Sequence, residues 1–256
     1  MNLRQRLAHP LTHGLNPDDP RTTALRRQVI RQNGFLTDLY RDWYRQVAAA
    51  LPPGPGPVLE IGSGAGFMAE HVPGLLTSEV FPCPGVSLVM DALQMPLADG
   101  CLRGIAMTDV LHHLPRVRAF LAEATRCLRP GGRIVMVEPW VTPWSRLIYG
   151  HLHHEPFRPD AGAWEFPEGG PLSSANGALP WIVFHRDRSV FEREFPMLRV
   201  ASVTPHTPFR YLVSGGVSMR PLMPRWATGP WRGAEAAASP AIGWVAMFAT
   251  IVIERA

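Results

Sequence analysis

VLEIGSGAGF, residues 58–67, carries the densest structural information in the chain. Val58, Leu59 and Ile61 form a short apolar run with the length and β-branching of a buried strand, and a glycine-rich turn follows at once. Gly62, Gly64 and Gly66 permit positive φ and let another molecule approach the backbone, so a nucleotide-like ligand is expected here. The spacing is G-x-G-x-G rather than the G-x-G-x-x-G of dinucleotide sites, and Glu60 sits on the strand just before it. A pyrophosphate would be repelled by that carboxylate, whereas a cationic ligand would be drawn to it.

Upstream, Thr22 or Thr23 can cap a helix over residues 24–51, with a break near Asn33 and Gly34. Downstream, a short helix is expected at 67–71 and strands at 75–80, 86–91 and 104–110. A helix at 116–128, stopped by Arg129-Pro130-Gly131-Gly132, leads into a strand at 133–138. Alternating strands and helices of this kind predict an α/β fold with a doubly wound, mostly parallel sheet. Residues 140–196, rich in Trp, His, Pro and Gly with one helix near 145–151, read as a cap over a substrate. Residues 198–204 and 243–253 supply a sixth strand and an antiparallel terminal strand. The expected organisation is one domain over 1–256: a helical N-terminal cap (1–57), a cofactor-binding core (58–139), the substrate cap (140–196) and C-terminal strands (197–256).

The chain has 256 residues, 46% hydrophobic and 18% charged, the composition of an ordinary globular protein. All 25 of its basic side chains are arginine, scattered without a basic run, so nucleic acid is not an expected partner. Cys83, Cys101 and Cys127 show no metal or disulfide spacing, and residues 1–14 lack the apolar core of a signal peptide. The longest apolar run, 241–253, is too short to span a bilayer. A cytoplasmic protein without stable membrane insertion is expected; the sequence sets no oligomeric state.

The glycine turn resembles motif I of the class I S-adenosylmethionine (SAM) dependent methyltransferases, and the likeness continues in order along the chain. Glu79 lies 19 residues after Glu60, where that family places the acid holding the ribose hydroxyls. MDALQMPLADG, residues 90–100, resembles a D-A-x-x-L-P-F-x-D segment of the methyltransferase type 11 family. MTDVLHHLP, residues 107–115, and EATRCLRPGGRIVMVEP, residues 123–139, resemble its fourth- and fifth-strand motifs. The resemblance implies a Rossmann-like seven-stranded fold with SAM as cofactor, held by Glu60, Gly62, Ser63, Gly64, Gly66 and Glu79. Asp91 and Ala92 would hold the adenine, and Thr108, Asp109 and Val110 the methionine amino group. One departure stands out: about six residues join strands two and three, too few for a crossover helix, which leaves the adenine side more open than the family pattern.

Methyl transfer to a hydroxyl calls for a proton acceptor near neutral pH, most often histidine. His112 and His113 follow strand four, and His151, His153, His154 and Glu155 lie in the cap. His154 is expected as base with Glu155 orienting it, His153 beside them and His113 in the pocket; each could equally be a packed or surface residue. A metal at His151, His153, His154 and Glu155 is the competing use, though H-E-x-x-H spacing is missing and no metal is expected. Tyr40, Trp43 and Tyr44 either close over the cofactor or pack the core. The expected function is methyl transfer from SAM to a small-molecule acceptor, most often an oxygen on an aromatic or apolar metabolite. The alternatives are carbon methylation of a quinone-like ring, or a non-catalytic SAM-binding regulatory subunit.

Overall fold

The computed structural model describes residues 7–152, 155–167 and 169–256. Seven strands form one sheet in the order β3-β2-β1-β4-β5-β7-β6. They are β1 Val58–Ile61, β2 Leu75–Glu79, β3 Leu88–Val89, β4 Leu102–Thr108, β5 Leu128–Pro139, β6 Leu198–His206 and β7 Phe248–Arg255. Strands β1 to β5 pair in parallel, and β7 runs antiparallel between β5 and β6. The doubly wound, mostly parallel architecture expected from the sequence is therefore present.

Alternation along the strands sends side chains to two faces. On one, Val58, Ala106, Val135, Val137 and Val252 pack beneath helix α2, Gly34–Ala50, through its Leu36, Leu39, Tyr40, Trp43, Tyr44 and Val47. On the other, Leu59, Ile105, Met107, Ile134, Met136 and Ile251 meet helix α3, Val117–Cys127, through Phe120, Leu121 and Ala124. The three-and-four spacing of these helical positions is what selects the buried stripe.

Helix α1, Pro20–Gln32, begins one turn earlier than Thr22 suggests. Asp19 caps it by accepting from Arg21 N–H, and Pro20 opens it without a missing bond. Asn33 then separates α1 from α2: its N–H donates to Val29 O, its Oδ1 accepts from Leu36 N–H, and its side-chain amide donates to Ser214 O. The break expected at this residue is real because one asparagine ends one helix and starts the next.

Beyond β5, helix α4 (Pro143–Leu152) matches the sequence reading. Residues expected to belong to a cap also enter the core: Leu179, Ile182, Val183, Phe184 and Phe191 are buried against the α3 face. They lie on a helical stretch made of Leu179–Trp181 and a π-helical Ile182–Arg186, and on α5, Arg188–Glu194, which follows a turn at Asp187. Between β6 and β7 the chain forms α6 (Arg210–Ser214), α7 (Thr228–Ala237) and a short helix Ile242–Val245. The last replaces the start of the strand read from residue 243, and β7 begins only at Phe248.

The short link is as expected. Residues 80–87 join β2 to β3 without a helix, and β3 shrinks to two residues. Arg27 of α1 supports this region instead, donating from Nε to Gly64 O (3.1 Å) and from Nη1 to Pro84 O (2.8 Å). Among the described residues no helix is long and apolar enough to cross a membrane.

Candidate functional site

A cavity of about 390 Å³ opens at the carboxyl ends of β1, β2 and β4, the edge where parallel sheets present ligands. Its wall includes Glu60, Gly62, Gly66, Glu79, Asp91, Ala92, Thr108, Asp109, Val110, His113 and Glu155, all singled out from sequence. Ser63 and Gly64 stand behind that wall. Ser63 pins the turn to β2: its N–H donates to Ser78 O, and its hydroxyl accepts from Ser78 N–H. Gly64 N–H donates to Glu79 Oε2 (3.1 Å), and Val80 N–H donates to Glu79 Oε1 (2.9 Å). His153 and His154 lie outside the described residues.

The three glycines serve two different needs. Only Gly62 adopts positive φ, 72°. Gly64 and Gly66 are required for space: a Cβ on Gly64 would lie 2.5 Å from Thr23 Cγ2 and 2.7 Å from Glu79 Oε2, and one on Gly66 would lie 2.6 Å from the Tyr44 hydroxyl. A methyl on Gly62 would meet Val110 Cγ2 at 2.4 Å as well as the unfavourable φ. Gly62→Ala is therefore expected to cost about 1–3 kcal/mol of stability, read as a lower urea midpoint at unchanged slope.

Burial raises the Glu60 carboxyl to about 7, a shift that the Ser63 hydrogen bond and Arg27 oppose and neighbouring Glu79 reinforces. Burial also raises Glu79, against the two backbone N–H donors. Two buried hydroxyls on the cavity wall, Thr23 Oγ1 and Thr108 Oγ1, have no hydrogen-bond partner among the described residues. Buried polar atoms are rarely left so. The residues present fit a polar, cationic, nucleoside-sized group: two acids and a glycine turn around one cavity.

At the far end, β4 leads into a charged cluster. Asp109 is held at φ 63°, a strained value for a residue with a side chain, by its N–H donating to Val137 O. Glu138, fully buried at the end of β5, accepts from Val110 N–H (2.8 Å) and Leu111 N–H (2.7 Å) through Oε1, and from His112 Nδ1 (2.8 Å) through Oε2. His113 Nδ1 donates to Ser174 O at 3.0 Å. Glu155 reaches both imidazoles: 3.5 Å to His112 Nε2 and 3.8 Å to His113 Nε2.

These groups titrate apart. Burial alone would depress His112, but Glu138, Glu155 and Asp109 outweigh it and hold the imidazolium well above its usual range. His113 falls to about 4, through burial and the adjacent His112. Asp109 rises to about 7, mainly through lost hydration, with Glu155 and Glu138 adding to it and His112 and Arg26 opposing. Sets of ionisable groups pushed in opposite directions beside a cleft mark sites of chemistry more often than chance surfaces do.

Sequence reasoning did not single out Glu138 as a site residue, assigned no role to His112, Arg26, Leu172 or Tyr211, and read Thr23 only as a possible helix cap. A carboxylate closing the apolar run RIVMVE was the one available signal, since a charge there is either paired or functional. Tyr40 and Tyr44 line the cavity, whereas Trp43 is buried in the core and donates from Nε1 to Thr207 Oγ1.

Residues 59–136 match the family model described as a methyltransferase domain. Over 142 residues the chain is 28% identical to a demethylmenaquinone methyltransferase of Beutenbergia cavernae, an alignment covering 49% of this chain and 59% of that protein. The chain thus spans about three-fifths of that relative's length. Among solved structures it is similar to a SAM-dependent methyltransferase of Archaeoglobus fulgidus (TM-score 0.52, 16% identity, 85% of this chain and 94% of that one). It is also similar to the geranyl diphosphate C-methyltransferase of Streptomyces coelicolor, solved with Mg2+, geranyl diphosphate and S-adenosyl-L-homocysteine (TM-score 0.50, 13% identity, 98% and 90% covered). At these identities the structural likeness is one of fold. The methyltransferase-domain match over residues 59–136 thus falls on the glycine turn and on the parallel strands whose carboxyl ends form the cavity.

Proposed function

We propose that the chain transfers a methyl group from SAM to a small acceptor bearing an ionisable hydroxyl on an aromatic or apolar frame. The observation that carries this reading is that one continuous cavity is lined both by Glu60, Glu79 and Asp91 and by His113, Glu155, Leu172 and Tyr211. Cofactor and acceptor would then share a single water-poor space, which in-line transfer requires.

Glu79 would hold the ribose hydroxyls, and Asp91 and Ala92 the adenine. Gly62, Gly64 and Gly66, with Ser63 behind them, keep the backbone close enough for contact. Thr108, Asp109 and Val110 would face the methionine amino group, with Arg26 on the same wall as counter-charge for its carboxylate. Bound there, SAM supplies an activated methyl on a positively charged sulfur. His113 and Glu155 form the polar end that receives the acceptor's hydroxyl and favours loss of its proton; Leu114, Pro115, Leu172 and Val217 supply an apolar surround.

Oxygen is the first acceptor atom proposed. Carbon methylation of a quinol-like ring is the second, supported by the name of the curated relative, and it uses the same hydroxyl because loss of its proton activates the ring. Incubation with methyl-labelled SAM and cell extract, followed by NMR of the labelled product, separates the two by the chemical shift of the new methyl. Binding of SAM with no label transferred to any extract fraction would leave only the regulatory-subunit reading.

The Glu60 carboxyl gives the cofactor side its own test. Free, it titrates near 7; a cationic ligand favours the ionised form, so binding releases a proton. SAM affinity is expected to rise with pH up to about 7, by at most about tenfold per unit, and to level off above. Calorimetric titrations at pH 6 and 8 should show this slope in the wild type and not in Glu60→Gln. Equal slopes in both would assign the proton to another group.

A further inference from the structure

We propose that the acceptor end of the cleft is a binding site for a divalent transition-metal cation, held by His112 Nε2, His113 Nε2 and the Glu155 carboxylate. The inference rests on the proposed function only in taking this end of the cavity as the acceptor's.

The tautomers come first. His112 Nδ1 faces Glu138 Oε2, a carboxylate oxygen that can only accept, and His113 Nδ1 faces the Ser174 carbonyl, which also can only accept. Each Nδ1 therefore carries its hydrogen; His113 Nε2 presents a lone pair, and His112 Nε2 presents one once its imidazolium gives up that proton to an arriving cation. Both lone pairs lie toward Glu155. Imidazoles fixed at one nitrogen by an outer acceptor and open at the other are the usual form of metal-ligating histidines.

The spacing is the second point. His112 Nε2 and Glu155 Oε2 are 3.5 Å apart, and His113 Nε2 and Glu155 Oε1 are 3.8 Å apart. The second is too long for a hydrogen bond and the first is at the limit of one. Both are close to the separation, about 3.4 Å, of two ligands each about 2.1 Å from one tetrahedral ion. The donor atoms of His112, His113 and Glu155 all lie within 4.8 Å of one another. Asp109 Oδ1, 4.0 Å from His112 Nε2, stands where a fourth contact or a bound water's partner would be.

Charge is the third. Asp109, Glu138 and Glu155 converge on this end, so an acceptor oxyanion would approach carboxylates. A dication reverses that field. Two imidazoles and one carboxylate suit Zn2+, Co2+ or Fe2+ better than Mg2+ or Ca2+, which favour all-oxygen sets. His113, Glu155 and Asp109 border the cavity, which leaves coordination positions open on the acceptor's side, as catalytic rather than structural sites do.

With the cation in place, an acceptor hydroxyl bound to it becomes acidic near neutral pH and loses its proton to solvent. A lone pair of the resulting oxygen, or the ring carbon conjugated to it, forms the new bond to the methyl carbon; on the carbon route that ring carbon then releases its hydrogen to solvent as a proton, which restores the aromatic ring. The carbon–sulfur bond breaks with its electron pair passing to sulfur, which becomes a neutral thioether.

The test starts from full-length protein stripped with a chelator and dialysed. Co2+ is added while visible absorption is followed, and Zn2+ is titrated by calorimetry, for the wild type, His113→Ala and Glu155→Gln. The expected result is one equivalent bound, with Kd raised about tenfold or more in each variant while thermal midpoints and SAM affinity hold. No saturable site below about 1 mM, or equal affinity in both variants, overturns the proposal. Chelated wild type that still transfers methyl label at full rate sinks the metal and leaves the function standing. Tight metal binding with no transfer in any extract does the reverse.

Discussion

Glu138→Ala is expected to lower stability by about 3–5 kcal/mol, a large part of the roughly 5–15 kcal/mol margin of a typical domain. Glu138 has no solvent exposure and accepts three hydrogen bonds, from Val110 N–H, Leu111 N–H and His112 Nδ1. Its backbone pairs with Ala249 of β7, one residue beyond the last β4–β5 pair, Thr108 with Val137. Truncation strands three buried donors, and each unmet donor costs about 1–3 kcal/mol. It also removes the nearest counter-charge of His112. Urea denaturation followed by circular dichroism measures the effect. Glu138→Gln keeps the volume and one carbonyl oxygen and should lose about half as much; a Glu138→Ala midpoint within 1 kcal/mol of wild type would mean that the cluster does not hold the ends of β4 and β5 together.

Glu155→Gln should reduce methyl transfer by about 10²- to 10⁴-fold while SAM binds as before. The carboxylate is among the groups at the acceptor end that face both imidazoles, and glutamine keeps its shape but can neither take a proton nor balance a cation. Label transfer to the product found in extract, with SAM affinity measured in parallel, separates kcat from cofactor binding. A loss smaller than tenfold would remove Glu155 from the chemistry; an equal loss of SAM affinity would move it to the cofactor's side.

Much of the sheet was legible because its strands are short apolar runs with turn residues at their ends. β1 matches the expected residues 58–61, and β2 and β4 shift by two residues or fewer at each end. The Asn33 break was legible because Asn-Gly carries its own local chemistry. Asp19 displaced the expected threonine caps because proline at the next position favours a helix start there. The helices between β6 and β7 were not legible: Arg210 is nearly buried and pairs with Asp42 and Glu235 across the fold, contacts that no local pattern announces. The site divides the same way. Glu60 and Glu79 sit at fixed distances from the glycine turn. Thr23 and Tyr211 reach the cavity only because α1 and α6 are folded over it, and His112 gains its partners from β5 and from the segment at Glu155.

The missing helix between β2 and β3 transfers a duty to helix α1. A single guanidinium, Arg27, ties the glycine turn to the link that replaces that helix. Whatever occupies the nucleoside end of the cleft is therefore enclosed partly by an element from outside the sheet. Enclosure of the ligand is thereby shared between the sheet and α1, joined through one side chain.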